Sequence, residues 1–198
     1  MFKTDNDLSH VKWVLPHSPI RPVTANMGIV MPSWFDIQSF GFNTTEDEEG
    51  MRRSATLINA LIENEIRSGI DASRIVLGGF SQGAAMSLLS GLTGSHQLAG
   101  IAVLSGWVPL KHKFKELASP NVASIPIFWG TGSVDQLVKL QYSKESSEFL
   151  TKELGFPALK PGEFKGLSYN VYDGLGHETT PKELEELKIF IKNAIPKL

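Results

Sequence analysis

The sequence predicts an α/β fold, in which a mostly parallel sheet is flanked by helices. Short apolar runs alternate with amphipathic segments, a pattern typical of parallel strands joined by helices. Hydrophobic residues make up 41% and charged residues 20% of the chain, close to the averages of globular proteins. The 198 residues suffice for one ordinary domain, so we expect residues 1–198 to form a single domain.

The first part of the chain is expected to hold a strand, a long loop and a helix. Residues 11–16 predict the first strand. Residues 16–42 are rich in Pro, Gly and aromatic residues without periodicity, which predicts a long loop. Residues 45–68 predict a helix that opens with a capping box of Thr45 and Glu48. Its expected inner face carries Met51, Ala55, Ile58, Ile62 and Ile66.

The rest of the chain alternates between predicted strands and helices. Strands are predicted at residues 74–79, 99–105, 125–130 and 167–172. Helices are predicted at residues 82–93 and 140–154, and a loop at residues 156–166. The final helix is expected to open at Thr180, with Pro181 at its first position and Glu183 at its third.

Charge and composition exclude several classes of function. The net charge of −2 comes from 19 basic and 21 acidic residues without a long run of one sign, so no nucleic-acid or anionic-membrane site is expected. The chain has no cysteine, which excludes disulfides, thiolate metal sites and cysteine nucleophiles. No apolar run approaches the roughly 20 residues of a membrane span. We expect a soluble cytoplasmic protein with no stable membrane insertion.

The segment Gly79-Phe80-Ser81-Gln82-Gly83 is a G-x-S-x-G motif between a predicted strand and a predicted helix. This context is typical of the nucleophile elbow of the α/β-hydrolase fold. The glycines are expected because the tight turn leaves no room for Cβ atoms on either side of a strained serine. The helix N-terminus favours an anion, so the backbone N–H of Gln82 is the expected oxyanion donor. A surface serine in a flexible turn is the alternative.

The general base is expected to follow the nucleophile along the chain, after the acid. Of five histidines, only His96, His112 and His177 follow Ser81. His96 and His112 lie in polar contexts typical of the solvated surface. His177 lies on a glycine-flanked loop after the last predicted strand, so it is the predicted general base, with an ordinary loop histidine as the alternative.

The acid of the site is predicted to be Asp135. It lies just past the strand that precedes the penultimate helix, where this fold places the acid. An aspartate at a helix N-terminus is the alternative interpretation of Asp135. Asp173, which ends the last predicted strand, is the competing candidate, but it shares a loop with His177 and is not expected to reach behind the ring.

Four segments carry a resemblance to a known family: Pro-Ser-Trp-Phe-Asp at 32–36, Gly-Gly-Phe-Ser-Gln-Gly at 78–83, Leu-Ala-Gly-Ile-Ala-Val-Leu-Ser-Gly-Trp-Val-Pro-Leu at 98–110, and Asp-Gln-Leu-Val at 135–138. Together they resemble the acyl-protein thioesterases and lysophospholipases, small serine esterases, and most of all the fungal members. The resemblance implies removal of long-chain acyl groups from cysteines of lipidated proteins, or hydrolysis of lysophospholipids and simple esters. It also implies a cytoplasmic enzyme that needs no cofactor and no metal.

The sequence departs from the family pattern in two ways. Family members normally begin with a strand pair and a His-Gly-x-Gly-Asp loop that supplies the second oxyanion donor. This sequence has no such loop, so we expect an N-terminally shortened sheet with an exposed edge. In addition, Thr131, Gln136 and Glu178 stand where the family usually has His, Pro and a small hydroxyl residue.

Binding of an acyl chain requires an apolar groove near Ser81. By resemblance and loop placement, Trp34, Phe35, Leu137 and Val138 are the expected substrate-binding residues, although ordinary core positions explain each of them equally well. Two functions stay open. The first is a thioesterase or esterase that works through an acyl-serine intermediate, and the second is a catalytically impaired relative that binds lipid or protein. The sequence also leaves undecided whether two copies form a homodimer at the exposed edge.

Overall fold

A four-stranded parallel sheet forms the centre of the molecule. The computed structural model describes residues 2, 5–39, 45–159 and 163–197. The strands lie in the order β3-β4-β5-β6 and span Val76–Phe80 (β3), Gly100–Leu104 (β4), Ile127–Gly132 (β5) and Leu167–Tyr172 (β6). Both β4 and β5 are buried along their whole length, as expected for inner strands covered on both faces.

Helices cover both faces of this sheet, which confirms the predicted architecture. They span Glu48–Arg67 (α1), Gln82–Thr93 (α2), Lys111–Leu117 (α3), Leu140–Glu153 (α4) and Pro181–Ala194 (α5). Helices α1 to α4 share one core with the buried Trp129, whereas Phe128 belongs to a second core with α5. Neighbouring residues of a strand point to opposite faces, so these two aromatic residues lie at the centres of different cores. None of the helices described is both long and apolar enough to span a membrane.

Most of the predicted elements after residue 70 are confirmed. Helix α2 and strand β6 have the predicted bounds, and β3, β4 and β5 lie within two residues of them. Thr180 caps α5 by accepting the backbone N–H of Glu183 at 3.1 Å, with Pro181 in the first turn. Residues 160–162 of the predicted loop lie outside the described residues. Helix α3 has only 7 residues, too few to show a helical period, and no sequence pattern predicts it.

The prediction of a strand at residues 11–16 is wrong. This segment pairs with none of the described strands. Val11 and Trp13 instead pack against the core beneath α5, and His10 Nε2 lies 2.7 Å from the carbonyl oxygen of Ile195. An apolar extended segment satisfies the local pattern of a strand, but a strand also requires a hydrogen-bonded neighbour.

The predicted long loop contains an antiparallel hairpin. Ile20–Val23 (β1) pairs with Ile29–Pro32 (β2), and the chain reverses through Met27 and Gly28, whose φ angles are 55° and 73°. Proline lacks an N–H, so Pro22 argues against a strand at the sequence level. It is tolerated here because β1 pairs on one side only among the described strands. Residues 40–44 of the predicted loop lie outside the described residues.

Helix α1 begins at Glu48, and its N-cap is Asp47, so the predicted capping box of Thr45 and Glu48 is wrong. Asp47 Oδ1 accepts the N–H of Gly50 at 2.8 Å, and Oδ2 accepts the N–H of Asp36 at 2.8 Å. Thr and Asp are both residue types that cap helices well, and the contact with the Asp36 N–H favours Asp47 over Thr45. The predicted inner face is confirmed, since the main core includes Met51, Ile58 and Ile62 with Ala55 and Ile66 packed against it.

Replacing Asp47 with alanine is expected to lower the free energy of unfolding by about 1–2 kcal/mol. The variant loses both the helix cap and the acceptor for the Asp36 N–H. Urea titration followed by circular dichroism measures the change. Thr45→Ala is the matched control, expected to change stability by less than about 0.5 kcal/mol. Equal losses in the two variants would contradict the assignment of Asp47 as the cap.

Candidate active site

Three loops at the carboxyl edge of the sheet bring the predicted catalytic residues together. Ser81 follows β3, Asp135 follows β5, and His177 follows β6. His177 Nδ1 lies 2.7 Å from Asp135 Oδ2, and His177 Nε2 lies 2.9 Å from Ser81 Oγ. The carboxyl ends of parallel strands meet at one edge of a sheet, so the strand topology places these loops side by side.

Ser81 lies on a strained turn between β3 and α2. Its φ and ψ angles are 55° and −116°, a region that residues with a Cβ rarely occupy. A Cβ on Gly79 would lie 2.3 Å from the carbonyl carbon of Gly83, so the turn requires a glycine at position 79. A Cβ on Gly83 would meet nothing within 4 Å. The expected steric need for glycine is therefore confirmed at Gly79 and wrong at Gly83.

The first turn of α2 places backbone N–H groups beside the serine. The carbonyl oxygen of Ser81 accepts the N–H groups of Ala84 and Ala85, at 3.0 and 3.1 Å, and so begins the helix. The N–H groups of Gln82 and Gly83 lie in the first turn, where a helix offers no carbonyl to pair with them. This positive end of the helix can stabilise a negative charge that develops next to Ser81.

Asp135 is a buried carboxylate that holds the histidine in one tautomer. Its Oδ1 accepts the N–H groups of Leu137 and Val138, at 2.9 and 2.8 Å, while Oδ2 faces His177 Nδ1. The side chain of Asp135 is fully buried, and that of His177 is 16% exposed. A carboxylate can only accept, so the imidazole proton lies on Nδ1 and the lone pair of Nε2 faces the Ser81 hydroxyl.

Asp173, the competing acid, has a different partner. Its Oδ1 accepts the hydroxyl of Ser133 at 3.1 Å, and the same hydroxyl oxygen accepts the N–H of Gly174 at 2.8 Å. These bonds link the loop that carries Asp135 to the loop that carries His177. Asp173 therefore helps to hold two loops together rather than facing the imidazole.

The other two histidines after Ser81 have different environments. His96 lies in the turn before β4, and its Nε2 is 2.5 Å from Glu63 Oε1 of α1. His96 is therefore less solvated than its sequence context predicts. His112 is exposed as expected. His177 contacts the ring of Phe80, with ring centroids 4.7 Å apart, which covers one side of the imidazole.

A cavity of about 500 Å³ opens at Ser81 and has mainly apolar walls. Leu137, Val138 and Phe35, expected from the sequence to bind substrate, lie in its lining. Trp34 packs against the main core and is not in the lining given by the described residues. The remaining apolar lining consists of Ile37, Met51, Trp107, Val108 and Leu110. A cavity of this size and polarity is typical of sites for small apolar ligands.

Part of the cavity wall carries charged side chains. Burial raises the pKa of the Glu46 carboxyl above its ordinary value, although Glu46 Oε2 accepts the N–H of Leu110 at 2.7 Å. This carboxyl joins the segment before α1 to the turn before α3. No sequence pattern indicates it, because the contact joins segments far apart in the chain. The other ionisable residues of the lining are Asp36, Glu48, Lys111, His112 and Glu145.

The parallel sheet, the strained serine turn and the hydrogen-bonded Ser81, His177 and Asp135 form an arrangement that is typical of the α/β hydrolases. A comparison with protein families supports the same class. Residues 1–195 match the model of the phospholipase/carboxylesterase family, and the chain belongs to that family. The predicted α/β-hydrolase fold and the predicted hydrolase class are therefore confirmed.

Individual relatives agree with this assignment. The chain is 41% identical over 192 residues to acyl-protein thioesterase 1 of Cryptococcus neoformans, covering 94% of this chain and 81% of that protein. It is 39% identical over 198 residues to acyl-protein thioesterase 1 of Mycosarcoma maydis, covering 96% and 80%. The crystal structure of Arabidopsis thaliana SOBER1 superposes with a TM-score of 0.86 at 31% identity, covering 96% of this chain and 87% of that one.

Proposed function

We propose that this chain hydrolyses long-chain acyl thioesters and acyl esters through an acyl-serine intermediate on Ser81. The observation that carries the proposal is the continuous chain of hydrogen bonds from Asp135 through His177 to Ser81, at 2.7 and 2.9 Å, whose serine end opens into the cavity. In such a chain the imidazole removes the serine proton, and the carboxylate stabilises the imidazolium that forms.

The proposed reaction has two halves. Ser81 Oγ attacks the acyl carbonyl carbon while His177 Nε2 takes the hydroxyl proton, and the backbone N–H of Gln82 stabilises the resulting oxyanion. The tetrahedral intermediate then expels the thiolate or alkoxide, which receives the proton from His177. In the second half, His177 takes a proton from the water that attacks the acyl-serine, the bond between Ser81 Oγ and the acyl carbon breaks, Ser81 Oγ receives that proton, and the fatty acid is released.

The apolar lining of the cavity supports a long acyl chain as the group transferred to Ser81. In this proposal Leu137 and Val138 contact the acyl chain, and Trp34, packed against the main core, supports the cavity wall. Because two fungal relatives are called acyl-protein thioesterases, we propose S-acylated proteins as substrates, with lysophospholipids and simple esters as further ones. We also propose a cytoplasmic location, which agrees with a chain without cysteine.

A fluorescent fluorophosphonate tests this function directly. The purified chain is expected to be labelled, to hydrolyse p-nitrophenyl octanoate and to release palmitate from an S-palmitoylated peptide. A Ser81→Ala variant is expected to do none of these while keeping its circular dichroism spectrum. If wild type and Ser81→Ala are both folded and neither is labelled or hydrolyses the substrates, the enzymatic proposal fails. The alternative of a lipid- or protein-binding relative is then favoured.

Two further parts of the proposal concern assembly. We propose that residues 1–198 form a single domain, since both hydrophobic cores contain residues of the central sheet. We also propose a homodimer, because β3 is an outer strand of the described sheet and Phe80 on it is 38% exposed. Sedimentation velocity at several concentrations tests the dimer, and a monomer at every concentration would rule it out.

A further inference from the structure

The side chain of Gln82 forms a hydrogen-bonded link that the proposed reaction does not use. Gln82 Oε1 accepts the backbone N–H of Trp34 at 2.7 Å, and Gln82 Nε2 donates to the carbonyl oxygen of Phe35 at 2.8 Å. The amide also contacts the hydroxyl of Ser33, at 2.9 Å from Nε2 and 3.2 Å from Oε1. Three consecutive residues after the hairpin are therefore joined to the first residue of α2.

The contacts determine which way the amide points. With the oxygen and nitrogen exchanged, the NH₂ group would face the Trp34 N–H and the oxygen would face the Phe35 carbonyl, so two attractive contacts would become repulsive. The position therefore needs a donor and an acceptor on one side chain of this length. A glutamate carboxylate supplies no donor for the Phe35 carbonyl, which then keeps only the Ser33 hydroxyl at 2.7 Å among the donors described here, and leucine supplies neither group.

The segment that Gln82 holds forms part of the cavity wall. Phe35 lines the cavity and is only 3% exposed, and its ring meets Trp107 edge to face with centroids 6.1 Å apart. Trp107 lines the same cavity. Ser54 of α1 donates to the Trp34 carbonyl, which holds the segment from the other side. The Gln82 amide thus links this aromatic wall to the turn that carries Ser81.

We infer that Gln82 is a positioning residue that aligns the aromatic wall of the acyl cavity with the nucleophile, and that its side chain determines the preference for long acyl chains. This inference rests on the proposed function. One residue then serves the reaction twice, since its backbone N–H faces the developing oxyanion and its amide fixes Phe35. An acetyl group ends close to Ser81, whereas an octanoyl chain extends along the walls of the cavity, so the two groups depend differently on Phe35.

The test compares the kcat/KM of p-nitrophenyl acetate and p-nitrophenyl octanoate in wild type, Gln82→Leu and Gln82→Glu. Both substitutions are expected to reduce both reactions, with the loss for octanoate exceeding the loss for acetate by about tenfold, mainly through a higher KM. Gln97→Leu is the matched control, because Gln97 is exposed and its amide contacts Ser124 away from the cavity. It is expected to leave the octanoate-to-acetate ratio unchanged.

The outcomes separate the inference from the function on which it rests. Equal losses for the two esters would overturn the inference, because they indicate that Gln82 acts only on the serine turn or on folding. An unchanged ratio without any loss would overturn it as well. Gln82→Glu keeps the size and the acceptors of the side chain. The comparison of the two esters can therefore be made with this variant if Gln82→Leu does not fold. If wild type itself hydrolyses neither ester, the proposed function has failed, whatever the variants do.

Discussion

An Asp135→Asn variant is expected to lose about 10⁴-fold in kcat while remaining folded. Asparagine keeps the volume of the buried side chain, and its oxygen can still accept the N–H groups of Leu137 and Val138. Its NH₂ group then faces His177 Nδ1, which must become an acceptor, so the imidazole proton moves to Nε2. In that tautomer His177 cannot take the proton of Ser81.

The measurement is kcat for p-nitrophenyl octanoate, together with a thermal melt that shows the variant is folded. Asp173→Asn is the matched control, because Asp173 lies at the end of β6 but faces Ser133 rather than the imidazole. Its kcat is expected to stay within about threefold of the wild-type value. A kcat for Asp135→Asn within tenfold of wild type, or a larger loss in the control, would contradict the proposed role of Asp135.

The free energy of unfolding is expected to fall by about 3 kcal/mol between pH 4.5 and about pH 7 because of a single buried group, Glu183. Glu183 is fully buried, and neither carboxylate oxygen has a hydrogen-bond partner in the part of the chain that the structure describes. Burial raises the pKa of Glu183 from 4.5 to about 7; the nearby backbone of Thr180 partly opposes this rise, and the charge of Glu186 adds to it.

The sign of this effect follows from proton binding. Between these two pKa values the folded protein keeps the Glu183 proton, while the unfolded chain has released it. The folded state therefore binds more protons, so stability decreases as the pH rises and levels off above the folded pKa. The contribution of the neutral carboxyl is fully present below pH 4.5 and lost above about pH 7.

A Glu183→Gln variant tests this prediction because its amide does not titrate. Urea unfolding at a series of pH values is expected to show a decline in wild type that the variant lacks, with the difference accumulating to about 3 kcal/mol. The readout is the slope, since the amide changes the local contacts at every pH. Glu185→Gln is the matched control on the same helix, where Glu185 is 56% exposed and should leave the slope unchanged. Parallel slopes in all three proteins would contradict a buried, protonated Glu183.

Most of the candidate site could be predicted from local sequence patterns. The motif around Ser81 needs only a strand, a glycine and a helix next to one another, and all three leave a local pattern. The chain order of nucleophile, acid and base then restricts the partners to a few residues. Asp135 and His177 follow predicted strands of the same parallel sheet, so proximity at one edge follows from topology. The structure brings the three side chains within hydrogen-bonding distance.

Only part of the cavity lining could be predicted from the sequence. Leu137 and Val138 lie beside Asp135 in sequence and reach the cavity because their loop does. Trp34 and Phe35 are adjacent aromatic residues that local sequence does not distinguish, yet Trp34 is partly buried against the core, whereas Phe35 is a core residue that also lines the cavity. Gln82 and Ser54 bind the backbone of this segment, and no local pattern encodes contacts between such distant residues.

The sequence by itself determined the elements whose cause is local: the bounds of α2 and β6, the inner face of α1, the cap of α5 and the turn at Ser81. Only the tertiary structure decided which extended segments became strands, as the unpaired residues 11–16 and the paired hairpin show. It also decided that Glu183, at an ordinary position in the first turn of α5, is buried against Gly130, where a Cβ would lie 2.0 Å from Glu183 Oε1. Caps, turns and helix periods involve residues close together in the chain, whereas strand pairing and burial depend on which distant residues share the space.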